Sequence, residues 1–237
     1  MGKSRDDRIK KYLEIVEKKF ESWHNGGRGT FKTVTEVQSK PQIVVKHKKT
    51  EQAHFCLGFR AFSFFDKRKH ALSILSTILG GGMSSRLFIQ VRERRGLCYY
   101  ISTGRELYHD VGNIVTQAGV TVDRDKVKEA IQTVLKEHRK VARGDIKKSE
   151  LEKAKKLVSG RMLLSMEDSF NVANFFGTRK ILQNELQMPE EVIGELEKVT
   201  VSDVVTLAAE LFKPEKLNFA IIGPFEDSKD FESVLSI

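Results

Sequence analysis

At 237 residues, with 40% apolar and 31% charged residues, the chain can bury one substantial core and has the balance of an ordinary globular protein. Its 41 Lys and Arg against 32 Asp and Glu leave a net charge of +9, which favours anionic partners. The cations are interspersed with acids, however, as with Asp145, Glu150 and Glu152 between Arg139 and Arg161, and no apolar run approaches the ~20 residues of a membrane span, so neither nucleic acid nor a membrane is expected as a partner.

The opening Met1–Asp6 is charged and no apolar segment follows it, so no secretory signal is expected. Cys56 and Cys98 each sit among apolar residues on predicted strands, and a buried, reduced pair in a cytoplasmic protein follows. Residues 5–22 carry Ile9, Tyr12, Leu13, Ile15, Val16 and Phe20 at helical spacing and run into the glycine-rich stretch Trp23–Gly29. A helix and linker over residues 1–30 ahead of a larger domain over 31–237 is the expected division.

Strands are predicted at Phe31–Val37, Gln42–His47 and Ala53–Phe59. Asp66 suits the cap of a helix over Lys67–Leu79, whose Ala71, Leu72, Leu75 and Ile78 share a face. Gly80, Gly81 and Gly82 break that helix, at a cost of ~1 kcal/mol each relative to Ala. Ser84 or Ser85 restarts it, and Gly96 suits the left-handed residue at its end. Strands follow at Leu97–Arg105 and Gly112–Val122 around a turn at His109-Asp110. Helices are expected after Asp123, at Leu151–Leu164, Ser169–Leu182, Glu190–Leu196 and Ser202–Phe212, with a closing strand at Leu217–Ile222. Early strands, later helices and a returning strand define an α+β fold, a mainly antiparallel sheet with helices packed on one face.

The chemistry is sparse. Of His24, His47, His54, His70, His109 and His138, no two lie four apart, as a two-His zinc site on one helix face requires, and each reads as a surface or interface residue. Ser84 and Ser85 follow glycines but precede none, so they form no nucleophile elbow and read as caps. The triple glycine could cradle a phosphate at the start of a helix, but Met83-Ser84-Ser85 stands where a phosphate loop has Lys-Ser/Thr. Arg92 and Tyr99 remain, seven apart across the Gly96 turn. Arg92 in a last helical turn suits the helix dipole, and Tyr99, alternating with Leu97 and Ile101, reads as a core aromatic. Together a guanidinium and a phenol are also two donors able to grip a carbonyl or an oxyanion.

The run Ala71–Tyr99, with the additional Tyr100, resembles the C-terminal half of the zinc peptidases grouped with pitrilysin, insulinase and mitochondrial processing peptidase. Thr50–Phe59, Gly119–Val122, Glu150–Leu164 and Leu217–Pro224 are similar to the same half, and residues 5–22 resemble the last helix of the half that precedes it. The resemblance implies one of two α+β halves that close as a clamshell, with zinc held by a His-x-x-Glu-His motif in the other half and none in this chain, which contains no such motif. It implies that Arg92 donates to a substrate carbonyl, that Tyr99 helps stabilise the tetrahedral oxyanion, and that Gly80, Gly81 and Gly82 bring the chain close to the chamber wall. Peptide or protein substrates, a zinc-bearing N-terminal half or homologous subunit, and self-association through the chamber face are the partners implied. On this reading the chain is the substrate-binding half of an endopeptidase and is inactive alone. A structural or protein-interaction subunit of the same fold is the alternative.

Overall fold

The computed structural model of the chain describes residues 5–24, 26 and 29–235. Residues 1–4 of the opening stretch and Asn25, Gly27 and Arg28 of the linker lie outside the described residues. The chain divides into two units, residues 1–33 and 34–237.

The first unit contains helix α1 (Arg5–Phe20), with Asp6 and Asp7 in its first turn and Lys18 and Lys19 in its last, the order the helix dipole favours. The apolar residues that define its periodicity are uncovered: Ile9, Leu13, Val16 and Phe20 are exposed, and Tyr12 is 67% exposed. Phe20 meets Trp23 edge to face, ring centroids 4.7 Å apart.

The second unit runs β1 (Gln42–His47), β2 (Ala53–Ala61), α2 (Lys69–Gly80), a π-helix (Phe88–Glu93), β3 (Cys98–Leu107) and β4 (Gly112–Val120). It continues with α3 (Arg124–Ala142), α4 (Lys148–Ser165), α5 (Ser169–Gln183), α6 (Pro189–Lys198), α7 (Val201–Leu211), β5 (Leu217–Gly223) and α8 (Lys229–Glu232). The strands form one sheet in the order β1-β5-β2-β4-β3. Three of its pairings are antiparallel, as expected, while β1 and β5 run parallel. The helical segment between β4 and β5 returns the chain between β1 and β2, and this crossover lets β5 run alongside β1 in the same direction.

Alternation fixes which side is core. Along β2, Ala53, Phe55, Leu57 and Phe59 are buried while His54 and Cys56 are exposed; along β5, Leu217, Phe219 and Ile221 are buried. Leu72, Leu75 and Leu79 of α2, Val127, Ile131 and Val134 of α3, and Val204, Leu207 and Leu211 of α7 supply the facing stripes. Each such side chain contributes about 1.5–3 kcal/mol by burial. The other face of the sheet carries no helix from this core, and Tyr100, Ser102 and Gln117 stand exposed on it.

Several expectations are corrected. Phe31–Val37 forms no strand: it has no ladder partner among the described residues, and the Val34 N–H bonds instead to the Asp110 carboxylate at 2.8 Å. Asp66 does not cap α2. It accepts from the Arg68 N–H at 2.8 Å in the turn ahead of the helix, which starts at Lys69. Neither Ser84 nor Ser85 caps the segment that follows, and the Ser85 hydroxyl is buried with no hydrogen-bond partner among the described residues. Cys56 is exposed, because it lies on the open face of β2, whereas Cys98 is buried.

His138 is a further correction, being 1% exposed in the core rather than at the surface. It lies on the buried side of α3 between Phe59 and Phe212, at ring separations of 5.6 and 4.6 Å, and its Nδ1 donates to the Val134 carbonyl oxygen at 2.8 Å. Burial pushes its pKa down to about 4, with the Val134 hydrogen bond acting the other way. The native state therefore keeps the neutral ring where the unfolded chain, near 6.5, takes up a proton. Unfolding then binds protons, so this contribution is complete above the unfolded pKa and is lost as pH falls from there toward about 4. Urea unfolding of the chain and of His138→Phe should diverge on acidification. Between about pH 7 and about pH 4.5 the parent should lose roughly 2 kcal/mol more than the variant.

Candidate functional site

The helix that carries Arg92 is not an ordinary α-helix. The Arg94 N–H reaches the Ile89 carbonyl five residues back at 3.0 Å, the mark of a π-turn, a form frequently found at functional positions. Leu87 and Val91 anchor the segment in the core, fully buried. The helix ends when the Leu97 N–H bonds to the Val91 carbonyl at 3.0 Å and the Gly96 N–H to the Arg92 carbonyl at 2.9 Å. Gly96 sits at φ +60°, the left-handed conformation this motif requires.

The strand that follows carries the second irregularity. Cys98 opposes Val120 and Tyr100 opposes Gly119, so Tyr99 is an extra residue with no partner in the ladder. This bulge reverses the faces on its N-terminal side. Ile101 and Thr103 point into the core, and unbroken alternation would bury Tyr99 with them; instead Cys98 is buried and Tyr99 is 57% exposed. The reading of Tyr99 as a core aromatic is thereby corrected. Its neighbour Tyr100 lies across Gly119, in the space a side chain there would need, with its hydroxyl 3.2 Å from His54 Nδ1.

Arg92 is exposed, and its guanidinium lies 4.9 Å from the centre of the Phe88 ring, one helical turn earlier. Its charge also reaches the start of β3: burial pushes the Cys98 thiol up to about 11, with Arg92 pulling the other way. Among the described residues, neither the Arg92 guanidinium nor the Tyr99 hydroxyl has a hydrogen bond or an ion pair. Arg95, by contrast, donates to the Gln90 carbonyl at 2.7 Å and faces Glu129 at 3.9 Å. Each is an exposed donor left unpaired, and each can bind an oxygen that carries or gains negative charge. The contact between Phe88 and Arg92 was not read from the sequence, although their i, i+4 spacing is a usable signal.

The three glycines have separate environments. A side chain on Gly80 would run into the backbone nitrogen and hydroxyl of Thr103, so its bareness lets the end of α2 rest on β3. Gly81 would meet Thr77 within its own helix. Gly82 has only ordinary contacts, at 3.6 Å to Arg161 and Leu157, and opens on a cleft of about 300 Å³ bordered by Ser84, Ser85 and Lys153. None of the three has a positive φ.

The residues present do not fit a zinc ion. Among the described residues no three His, Cys, Asp or Glu side chains come together in a way that could hold a metal, and the site itself offers a cation and a phenol.

The sequence profile of the Peptidase M16 inactive domain matches residues 3–158, and the chain belongs to that family. It is 33% identical to the uncharacterized zinc protease YmxG of Bacillus subtilis, over 90% of this chain and 51% of that protein. Against the uncharacterized zinc protease SCO5738 of Streptomyces coelicolor, identity is 30% over 81% of this chain and 41% of the relative. Thus the chain spans about half the length of the curated relatives it matches. A protease from Helicobacter pylori superposes with a TM-score of 0.78 at 26% identity, covering 91% of this chain and 52% of the other. The peptidase M16 inactive domain from Pseudomonas fluorescens does so with a TM-score of 0.72 at 20% identity, over 83% and 47%, and shares the fold.

The glycine environments separate in stability. Gly80→Ala should destabilise the chain by about 1–3 kcal/mol through overpacking against β3. Gly82→Ala should stay within about 0.5 kcal/mol of the parent. Denaturant midpoints of the two variants check this.

Proposed function

We propose that this chain is the substrate-gripping half of a zinc-dependent endopeptidase, inactive alone and completed by a zinc-bearing half or homologous subunit. The observation that carries the reading is the exposed, unpaired donor pair, Arg92 on its π-turn and Tyr99 on its bulge, in an M16 inactive domain whose own residues do not fit a metal. Arg92 donates to the carbonyl oxygen of the peptide being cleaved. Tyr99 donates to the same region as that oxygen gains negative charge in the tetrahedral state. Neither donor has to give up a protein partner first, so both can turn to the developing charge. Arg92 rests on Phe88, which fills the guanidinium's flat face and leaves its edges for hydrogen bonds. The chain holds and polarises the peptide, and the bond-breaking chemistry belongs to the other half.

The apolar stripe of α1, on which Ile9, Leu13, Val16 and Phe20 recur, supports a protein partner. The same face favours the second reading, a structural or protein-interaction subunit in which Arg92 and Tyr99 do no catalysis. No described helix is long and apolar enough to cross a membrane. The two cysteines are unpaired, which supports the cytoplasm as the compartment.

The two readings separate on reconstitution with a zinc-bearing half. Arg92→Ala and Tyr99→Phe should each lower kcat/KM for a peptide by about 10²–10³. Both residues are exposed, so the melting temperature of the chain should move by no more than about 1–2 °C. Full activity in both variants would rule out the donor role and leave the scaffold reading.

A further inference from the structure

A second cluster of cations lies away from Arg92 and Tyr99, on the helix-covered side of the sheet. Arg105 is on β3 in register with buried Ile114, on the same side as Ile101 and Thr103, which face the core. A charged residue at a core-facing position ordinarily brings a carboxylate with it. Arg105 has none: among the described residues its guanidinium makes no ion pair and no hydrogen bond. It lines a cavity of about 260 Å³ with Lys69 and His70 at the start of α2, Arg179 on α5, and the hydroxyl-bearing Ser73 and Thr178. Arg105 is itself exposed, so the cavity it lines is open to a ligand from solvent.

The electrostatics agree with an unfilled demand for negative charge. Desolvation lowers the pKa of Arg105, and the charge of Arg179 lowers it further. Desolvation likewise lowers Arg179, with Glu185 opposing. His70 is lowered by desolvation and by Lys69, Arg105 and Arg179, with Glu195 opposing. Neither Glu185 nor Glu195 lines the cavity, and Glu195 is bound to Lys198 at 2.7 Å. Arg179 stacks on Phe175 at 3.5 Å and donates to that residue's carbonyl at 3.3 Å, while Lys69 donates to Gln183 at 3.5 Å. These contacts are all to neutral groups, and desolvation still outweighs the pull of Glu185 on Arg179.

We propose that the cavity between α2, β3, α5 and α6 is a binding site for a small phosphate-bearing molecule. The phosphoryl oxygens are held by Arg105, Arg179 and Lys69, and Ser73 supplies a hydroxyl. A tetrahedral anion with several acceptor oxygens can serve cations arriving from three different elements at once, which a planar carboxylate cannot. The space lies just below the roughly 300–1,000 Å³ of typical small-molecule sites, which sets the ligand at a phosphate with a short organic body. Leu107, Met162 and Leu182 furnish the apolar wall for that body.

Calorimetric titration of the chain with inorganic phosphate, at ionic strength held constant with chloride, tests the site. Saturable one-to-one binding is expected, weakened about tenfold or more in Arg105→Gln and in Arg179→Gln, and unchanged in Lys126→Gln, which removes one exposed charge elsewhere. Removing an unpaired cation that feels the like charge of Arg179 should leave the phosphate-free melting temperature of Arg105→Gln equal to or above that of the parent, whereas a structural role would lower it. Glycerol 3-phosphate binding more tightly than phosphate identifies a phosphate ester as the ligand, and equal binding identifies free phosphate. No saturable binding by the parent overturns the proposal. So does equal weakening in Lys126→Gln, or acetate binding as tightly as phosphate.

Discussion

The bond from the Leu97 N–H to the Val91 carbonyl is the point on which the candidate site turns. As a hydrogen bond its net worth is only about 1 kcal/mol. It matters because both of its residues are buried anchors, Val91 in the floor beneath the π-turn and Leu97 at the entrance to β3. Joining them through Gly96 fixes where the helix stops and in which register the strand begins. On either side of that closure the chain accommodates one residue beyond the regular repeat, as the five-residue step to Arg94 and as the unladdered Tyr99. Each extra residue alters which way its neighbours face, and the pair of donors is left pointing to solvent.

The legibility of the sequence follows from the same contrast between regular and irregular backbone. α3 was readable because its signals agree: Asp123 accepts from the Asp125 and Lys126 N–H groups, and Val127, Ile131 and Val134 keep one face to the core. β2 and β5 were readable from period-two burial, and the M16 resemblance from the unbroken word Ala71–Tyr99. Tyr99 itself was misplaced by periodicity, since alternation carries no information about where a strand adds a residue. Ser84 and Ser85 have the right chemistry for caps, but neither hydroxyl accepts a backbone N–H there, and that of Ser85 is buried without a partner among the described residues. Phe31–Val37 is apolar enough for a strand yet has no ladder partner, a matter of topology that composition cannot show. His138 sits where helical periodicity puts a core residue; only the assumption that a histidine belongs outside concealed it.

The pairing of β1 with β5 was invisible for a related reason. Short connections suggest that neighbouring strands pair, and β1 and β2 are separated by only a few residues. The register shows β5 inserted between them, matching Gln42 to Asn218 on one side and His54 to Ile222 on the other. A strand contributed from the far end of the chain thus joins the two early strands, which share no ladder with each other. This long-range closure places the open face of the sheet in one continuous surface, to which Tyr100 and His54 contribute.

Three arginines show what the net charge of +9 conceals. Arg86 is 11% exposed and surrounded by Glu150 at 2.7 Å, Glu137 at 3.7 Å and Asp145 at 4.0 Å. Burial opposes its charge, but the Glu150 hydrogen bond and the three carboxylates outweigh that and raise its pKa. Removing those acids would strand a buried charge, so this arginine ties α3 and α4 to the segment after the triple glycine. Arg105, itself exposed, has no acid partner among the described residues, and its pKa moves the opposite way, through desolvation and then the charge of Arg179. Arg92 avoids the penalty by staying in solvent with only an aromatic ring beneath it. Charge that the fold needs is neutralised inside the chain, whereas Arg92 and Arg105 have no acid partner among the described residues. That difference in pairing, rather than the total of basic residues, separates a structural cation from one available to a ligand.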